Sequence, residues 1–265
     1  MSVILGSSFG YSFTRPEEAR TLTRWAESAK ATGNQVGVVL VNPDAITEQA
    51  FNDLGAKTFL VQLPLTKVKI HNERFIFQHL VLKQHYPDEK YAIVTDIRDV
   101  YFQTDPHQWL DDNLGSARIA CSSEEILYRD EEWGTGNMKR SFPFVHEDYA
   151  DRPIINVGVL GGHTRDIADL CLLLHSMASH NPFDWAADQA AFNMLCNMPM
   201  FSGILKQCRL EDGWAVHLGV MGKTANEEKF RSKRLADAPV FENGVYKTSK
   251  GREICIVHQW DRVLG

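Results

Sequence analysis

Two aspartates close an apolar run in Tyr91-Ala-Ile-Val-Thr-Asp96-Ile-Arg-Asp99, and a third stands in Asp105-Pro106. Acids at the C-terminal end of a buried strand serve no packing purpose, and α/β sheets commonly build sites there. Such carboxylates hold a divalent cation, bind a ribose or pair with a base. A structural use competes with these: Asp99 paired with Arg98 or Arg74, and Asp105 capping a helix. Far downstream, Ile254-Cys-Ile-Val-His258 ends a second apolar run in an imidazole. Imidazole is an acceptable Mn²⁺ ligand beside carboxylates. A lone strand-end histidine is more often a hydrogen-bonded structural residue, but with the acids it becomes the leading third ligand. His217, in Ala215-Val-His217-Leu-Gly219, is its rival and ranks second.

Other residues suit the binding of a polyhydroxylated ligand. In Asn156-Val-Gly158-Val-Leu-Gly161-Gly162 the glycines let backbone approach a ligand, and the Asn156 amide both donates and accepts. A plain buried strand with a bulge explains the glycines equally well. Asp188-Gln189 sits among Ala186, Ala187, Ala190 and Ala191, a close-packed setting that favours a concave surface over a solvated helix acid. Ser7, Ser8 and Phe9 follow the first apolar run, where parallel sheets bind nucleotides at strand carboxyl ends. Gly6 to Gly10 is not a GxGxxG run, and the chain has no GxxxxGK[ST] loop, Gly-x-Ser-x-Gly elbow or His-Glu-x-x-His. Dehydrogenase, P-loop kinase, serine hydrolase and zincin chemistries therefore lack their signatures.

The elements that must position these residues read as an α/β chain. Strands are expected at 3–5, 36–41 and 58–63. Helices are expected from about 16, with Thr14 and Glu17 at capping-box spacing, and around 47–54. This β-α-β-α-β order implies a parallel sheet with helices on its faces. A helix over 72–85 leads to the central strand 91–95, and further strands are expected at 118–122 and 153–162. Helices follow near 167–177 and over 184–195, then late strands at 215–218 and 254–258. Residues 124–152 are polar and without clear periodicity, the pattern of a functional loop or lid, and 223–250 reads as a charged loop.

The 265 residues suit one domain spanning 1–265, with 44% apolar and 23% charged side chains. The net charge of −6 and the lack of a base-stacking platform argue against nucleic-acid binding. Five cysteines without zinc or disulfide spacing, no signal-peptide pattern and no run near the ~20 apolar residues of a membrane span lead us to expect a cytoplasmic protein. A peripheral membrane contact carries no mark but is left open.

Together these motifs resemble the nucleotide-sugar glycosyltransferases of the GT-A fold, whose sheet is mixed, mainly parallel and Rossmann-like. The acidic strand end with its aromatic-Gln-x-Asp-Pro continuation resembles their Asp-x-Asp motif, here widened to Asp-x-x-Asp. Asn156-x-Gly158-Val and Asp188-Gln189 resemble the retaining families related to glycogenin and to plant cell-wall galactosyl- and xylosyltransferases. The resemblance implies transfer of a hexose from a UDP-sugar to a glycan or other hydroxyl acceptor, assisted by Mn²⁺ or Mg²⁺. It implies Asp96, Asp99 and His258 as metal ligands and Asp188 as the catalytic residue, its carboxylate binding donor or acceptor hydroxyls near the reacting carbon. Ser7, Ser8, Phe9, Arg74, Asp96, Asn156 and Gly162 would bind the nucleotide-sugar. A nucleotidyltransferase or a non-catalytic sugar- or nucleotide-binding module on the same sheet are the alternatives.

Overall fold

A computed structural model describes residues 1–64, 70–179, 186–223 and 227–264. The first half alternates strand and helix as the periodicity requires. It comprises β1 (Ser2–Phe9), α1 (Pro16–Ala31), β2 (Gln35–Val41), α2 (Ala45–Asp53), β3 (Lys57–Val61), α3 (Ile70–His85) and β4 (Tyr91–Thr95). Then come β5 (Val100–Phe102), α4 (Pro106–Asn113), β6 (Ile119–Leu127), α5 (Glu132–Ser141), β7 (Pro153–His163), α6 (Thr164–Ser179) and α7 (Asp188–Cys196). The chain closes with β8 (Leu205–Cys208), β9 (Ala215–His217), α8 (Leu218–Met221), α9 (Glu227–Arg231), β10 (Val240–Glu242), β11 (Val245–Lys247), β12 (Ile256–His258) and α10 (Asp261–Leu264).

The main sheet has seven strands in the order β3-β2-β1-β4-β7-β6-β8. The β3, β2, β1 and β4 strands are mutually parallel, whereas β7 runs antiparallel to both β4 and β6. The mixed, mainly parallel α/β sheet expected from the sequence is what forms. Its central strands are buried on both faces, as β4's uninterrupted burial shows. Leu22, Trp25, Ala26 and Ala29 of α1 seal one face together with Phe51. Phe75, Leu82, Ile167, Leu170 and Leu174 from α3 and α6 seal the other. Trp25 also donates from Nε1 to Thr95 Oγ1 at 3.0 Å, fixing the last residue of β4 just before Asp96. A second sheet, β5-β12-β9, lies beyond the end of β4.

Several local expectations need correction. Thr14 and Glu17 do not form a capping box: the N-cap is Arg15, without a side-chain cap, and Pro16 follows it. Proline supplies a fixed φ and has no N–H to satisfy, so little is left for a cap to do. The 124–152 stretch is not an irregular loop. It holds the end of β6, a 3₁₀ turn at Tyr128–Asp130, α5, and another 3₁₀ turn at His146–Tyr149. Glu131 caps α5 by accepting from the Trp133 and Gly134 amides, a signal hidden among many charges. Within 223–250, α9 and the β10–β11 hairpin form. The expected helix start at 184 lies outside the described residues.

Gly162 is a sheet residue and does not line the cleft described below. It pairs with Ala92 and Ile119 near the far end of β7, and a Cβ there would lie 2.3 Å from the Arg118 carbonyl oxygen. Because β7 is antiparallel to β4, Asn156 rather than Gly162 reaches the end where Asp96 emerges. Replacing Gly162 by alanine should destabilise the fold by about 1–3 kcal/mol through overpacking against backbone. Thermal unfolding would read this as a drop of several degrees.

Candidate active site

The carboxyl ends of β1 and β4 and the start of β7 open onto one cleft of about 450 Å³. Asp96 and Asp99 reach it from the turn after β4. The two residues between them explain how Asp-x-x-Asp still delivers both acids to one place. Ile97 turns into the core beside Gly6 and Trp25, and the partly exposed Arg98 folds back along the cleft to Asp99, leaving the two aspartates facing one space. His258 arrives from the end of β12, with Nε2 3.7 Å from Asp96 Oδ2 and 3.5 Å from Asp99 Oδ1. One donor atom from each of the three residues lies within 4.8 Å of the others. Donors on one octahedral cation at about 2.1 Å lie roughly 3–4 Å apart, so these hard oxygens and imidazole nitrogen suit Mg²⁺ or Mn²⁺. Gly158 makes room for the cluster: a Cβ there would lie 2.6 Å from His258 Cε1 and 2.8 Å from Asp96 Oδ2.

His217 is not a rival ligand but stands behind His258. In the parallel pair β9–β12 the two histidines are in register and share a face. Their Nδ1 atoms are 2.9 Å apart, and His217 Nε2 is 2.8 Å from Ser122 Oγ. Burial lowers the His217 pKa well below the usual imidazole value, and the neighbouring His258 lowers it further. A neutral His217 has one N–H and one acceptor nitrogen. If a cation were held at His258 Nε2, the proton of that ring would sit on Nδ1 and donate to His217 Nδ1, and His217 Nε2–H would then donate to Ser122 Oγ. This chain fixes the ring that presents Nε2 to the acids, the usual arrangement behind a metal-binding histidine.

Charge in the cleft is tightly matched. Burial pushes the Asp99 carboxyl up, but the charge and hydrogen bond of His258, with help from Arg98 and Arg262, hold it well below the usual range. Arg98 also reaches Asp261 at 3.4 Å. The paired-aspartate use considered for Asp99 is thus present, and Asp105 does cap α4 by accepting from His107 N at 2.9 Å. Arg74, from α3, bridges Asp96 and Asp188, with Nη2 2.9 Å from Asp188 Oδ2. Asp188 stands at the start of α7, which is anchored from both sides: Asn72 Oδ1 accepts from Ala187 N at 3.2 Å and Asn137 Nδ2 donates to Ala186 O at 2.7 Å.

A second carboxylate group sits deeper. Glu124 Oε1 accepts from Asn156 Nδ2 at 2.8 Å and from Gln189 Nε2 at 3.1 Å, and Asn156 Oδ1 accepts from Gly158 N at 2.7 Å. Burial raises the Glu124 pKa, against the lowering effect of the two amides. The sequence reading missed this residue. Register shifts in β6 between Ala120 and Leu127, and a φ of 58° at Glu125, turn consecutive acids in different directions. Glu124 enters the cleft, whereas Glu125 takes a two-pronged contact from Arg209. The available signal was the same as for Asp96: acids ending an apolar run.

Of the nucleotide-sugar candidates, Ser7, Phe9, Arg74, Asp96 and Asn156 line the cleft, as do Asp99, Asp188 and His258. Ser7 Oγ is buried without a hydrogen-bond partner among the described residues. Ser8 points away from the cleft, into the opposite face of β1, because side chains alternate along a strand. Gly162 is absent for the reason given above.

No protein-family model matches the chain, and no curated protein matches it. Among solved structures, the apo form of mouse xyloside xylosyltransferase 1 superposes over 97% of this chain and 96% of its own, at a TM-score of 0.56 and 12% identity. The chain has a glycosyltransferase fold. At this identity the likeness is one of architecture, so the chemistry rests on the cleft. On this glycosyltransferase fold no helix among the described residues is long and apolar enough to cross a membrane.

Two outcomes follow from these contacts. His217→Phe removes the acceptor for His258 Nδ1–H and should weaken Mn²⁺ binding about 10–100-fold, whereas His217→Gln, which can accept and donate, should recover most of it. Calorimetric Mn²⁺ titration reads both. For Glu124, a raised folded pKa means that ionisation opposes folding as pH rises above the unfolded carboxyl value. In metal-free buffer Glu124→Gln should therefore melt above wild type at pH 7, with the gap closing as pH falls towards about 4.5; a gap independent of pH would contradict it.

Proposed function

We propose that this chain is a metal-assisted glycosyltransferase acting as a single domain over 1–265. It would move a hexose from a nucleotide diphosphate sugar, a UDP-hexose, to a hydroxyl acceptor. The observation that carries the proposal is the convergence of Asp96, Asp99 and His258 with the Arg74–Asp188 bridge in one cleft of a glycosyltransferase fold.

In this reading Asp96, Asp99 and His258 hold a Mn²⁺ or Mg²⁺ ion. When bound, such an ion neutralises charge developing on a diphosphate leaving group. Ser7 and Phe9, at the end of β1, receive the nucleotide, and the unpartnered Ser7 hydroxyl offers it a hydrogen bond. Asn156 and Asp188 meet the hexose hydroxyls. Arg74 sets the orientation of Asp188 through their 2.9 Å contact, so the acid is held beside the aspartates rather than free to rotate. Retention of configuration is part of the proposal. It is supported by the meeting of the two stretches that resemble retaining enzymes: Asn156 Nδ2 lies 3.4 Å from Gln189 Oε1.

Thermal-shift measurements with a panel of nucleotides and nucleotide-sugars, with and without Mn²⁺, test this. A ligand at 100 times its Kd stabilises the folded state by about 2.7 kcal/mol. UDP should raise the melting temperature strongly with Mn²⁺ and weakly without it, and Asp99→Asn should abolish the metal-dependent part. Absence of any nucleotide shift would remove the proposal and leave the acids as a structural ion-pair cluster. A shift with UTP but with no UDP-sugar would favour a nucleotidyltransferase.

A further inference from the structure

Trp133 is half exposed (51%), yet it lines the cleft rather than the outer surface alone. A large aromatic left uncovered in a concave site has a ligand-facing use more often than a packing one. Its backbone is held firmly. Trp133 N donates to Glu131 Oε1 at 3.1 Å, and Gly134 packs so closely on Ile154 that a Cβ would lie 2.7 Å from that side chain. Further along α5, Met138 is fully buried, and Asn137 ties the helix to Ala186 beside Asp188. Lys229 of α9 reaches Glu132 at 3.1 Å, setting Phe230 against the same part of the cleft. The backbone that presents the indole is therefore fixed.

The cleft is chemically two-sided. At one side Arg98 and Arg262 accompany Asp99, where a phosphorylated ligand would be welcome. At the other, Glu131 is close enough to Glu124 for its charge to raise that carboxyl, and the acids Glu124, Glu131 and Asp188 are set among Asn156, Gln189 and His71. The positive charge of Arg74 is already shared between Asp96 and Asp188. Anionic acceptors are disfavoured on this side. Trp133, Phe230 and Val220 add an apolar lining. A ligand suited to both features has an apolar C–H face and a rim of uncharged hydroxyls.

We propose that Trp133 forms the acceptor subsite, and that the acceptor presents a neutral pyranose whose C–H face lies on the indole. This rests on the transferase proposal and narrows its acceptor from any hydroxyl to a neutral sugar. The hydroxyl rim would face Glu131 and Asp188.

Saturation-transfer NMR and fluorescence titration test it on the full chain with Mn²⁺ and UDP present. The probes are methyl β-D-glucopyranoside, methyl β-D-xylopyranoside, maltose and lactose, with glucuronic acid as the anionic control. At least one neutral probe should bind wild type with transfer to its axial C–H protons, and glucuronic acid should bind more weakly. Trp133→Ala should weaken that binding about tenfold, the equivalent of about 1.4 kcal/mol, and Trp133→Phe should weaken it less. The thermal shift of Trp133→Ala with UDP and Mn²⁺ checks that the variant is folded. Equal sugar affinity in wild type and Trp133→Ala, or no sugar binding by a wild type that does respond to UDP and Mn²⁺, overturns the subsite alone. A wild type that ignores UDP and Mn²⁺ but binds a sugar through Trp133 would instead overturn the transferase proposal and keep the sugar site.

Discussion

Carboxylates gathered in one place repel, and Asp96, Asp99, Glu124, Glu131 and Asp188 all face one cleft. The structure resolves that repulsion by three separate means. Arg74 lies between Asp96 and Asp188, so one guanidinium serves two acids. His258 and Arg98 share Asp99. Glu124 is buried where the neutral form is favoured and two side-chain amides occupy one of its oxygens. Each device comes from a different element: α3, β12 and the turn after β4, and β7 with α7. The cleft is therefore a point where the whole fold must agree. Removing Arg74 would leave the buried Asp188 without its cation, a costlier fault than losing a surface ion pair.

Asp96 shows how narrow the geometry is. Its Oδ1 meets Arg74 while its Oδ2 faces His258. The two oxygens have separate tasks, one linked through Arg74 to Asp188 and one facing His258. An amide at this position would keep an oxygen for one task and offer an N–H to the other. The carboxylate is thus required for its symmetry as well as its charge.

The parts legible in the sequence were those written in local pattern. An apolar run ending in acids identified β4 and its turn, and alternating periodicities identified the parallel half of the sheet. The competing structural uses of Asp99 and Asp105 were legible as well: Arg98 pairs with Asp99 in the cleft, and Asp105 caps α4 at the opposite end of the sheet. Long-range arrangement was not. Nothing local distinguishes His217 from His258, since each ends a short apolar run; only the pairing of β9 with β12 places one in front of the other. Glu124 was hidden because a bulge breaks the alternation that would assign it a face. Gly162 misled because a glycine that admits a neighbouring strand and one that admits a ligand look alike in sequence. The helix over Glu132–Ser141 was lost among glycines and charges, its N-cap being a glutamate rather than a commoner cap.

The site finally depends on the register of a strand only three residues long. Shifting β12 by one residue would turn His258 away from the aspartates and put Val257 in its place, because strand side chains alternate. Three hydrogen bonds at its ends oppose that slip. Gln103, just after β5, donates from its backbone amide to the Cys255 carbonyl and from Nε2 to the Ile254 carbonyl, just before β12 begins. Beyond it, Gln259 N donates to Asp99 O at 2.7 Å. Gln259 also has a φ of 62°, unusual for a residue with a side chain, and its Oε1 accepts from Gly219 N at 2.9 Å. The strained turn is thus held by its own amide, and it joins the backbone of Asp99 to the residue after His258. Two ligand candidates 159 positions apart in sequence are in this way fixed to one another by main-chain geometry before any cation is present.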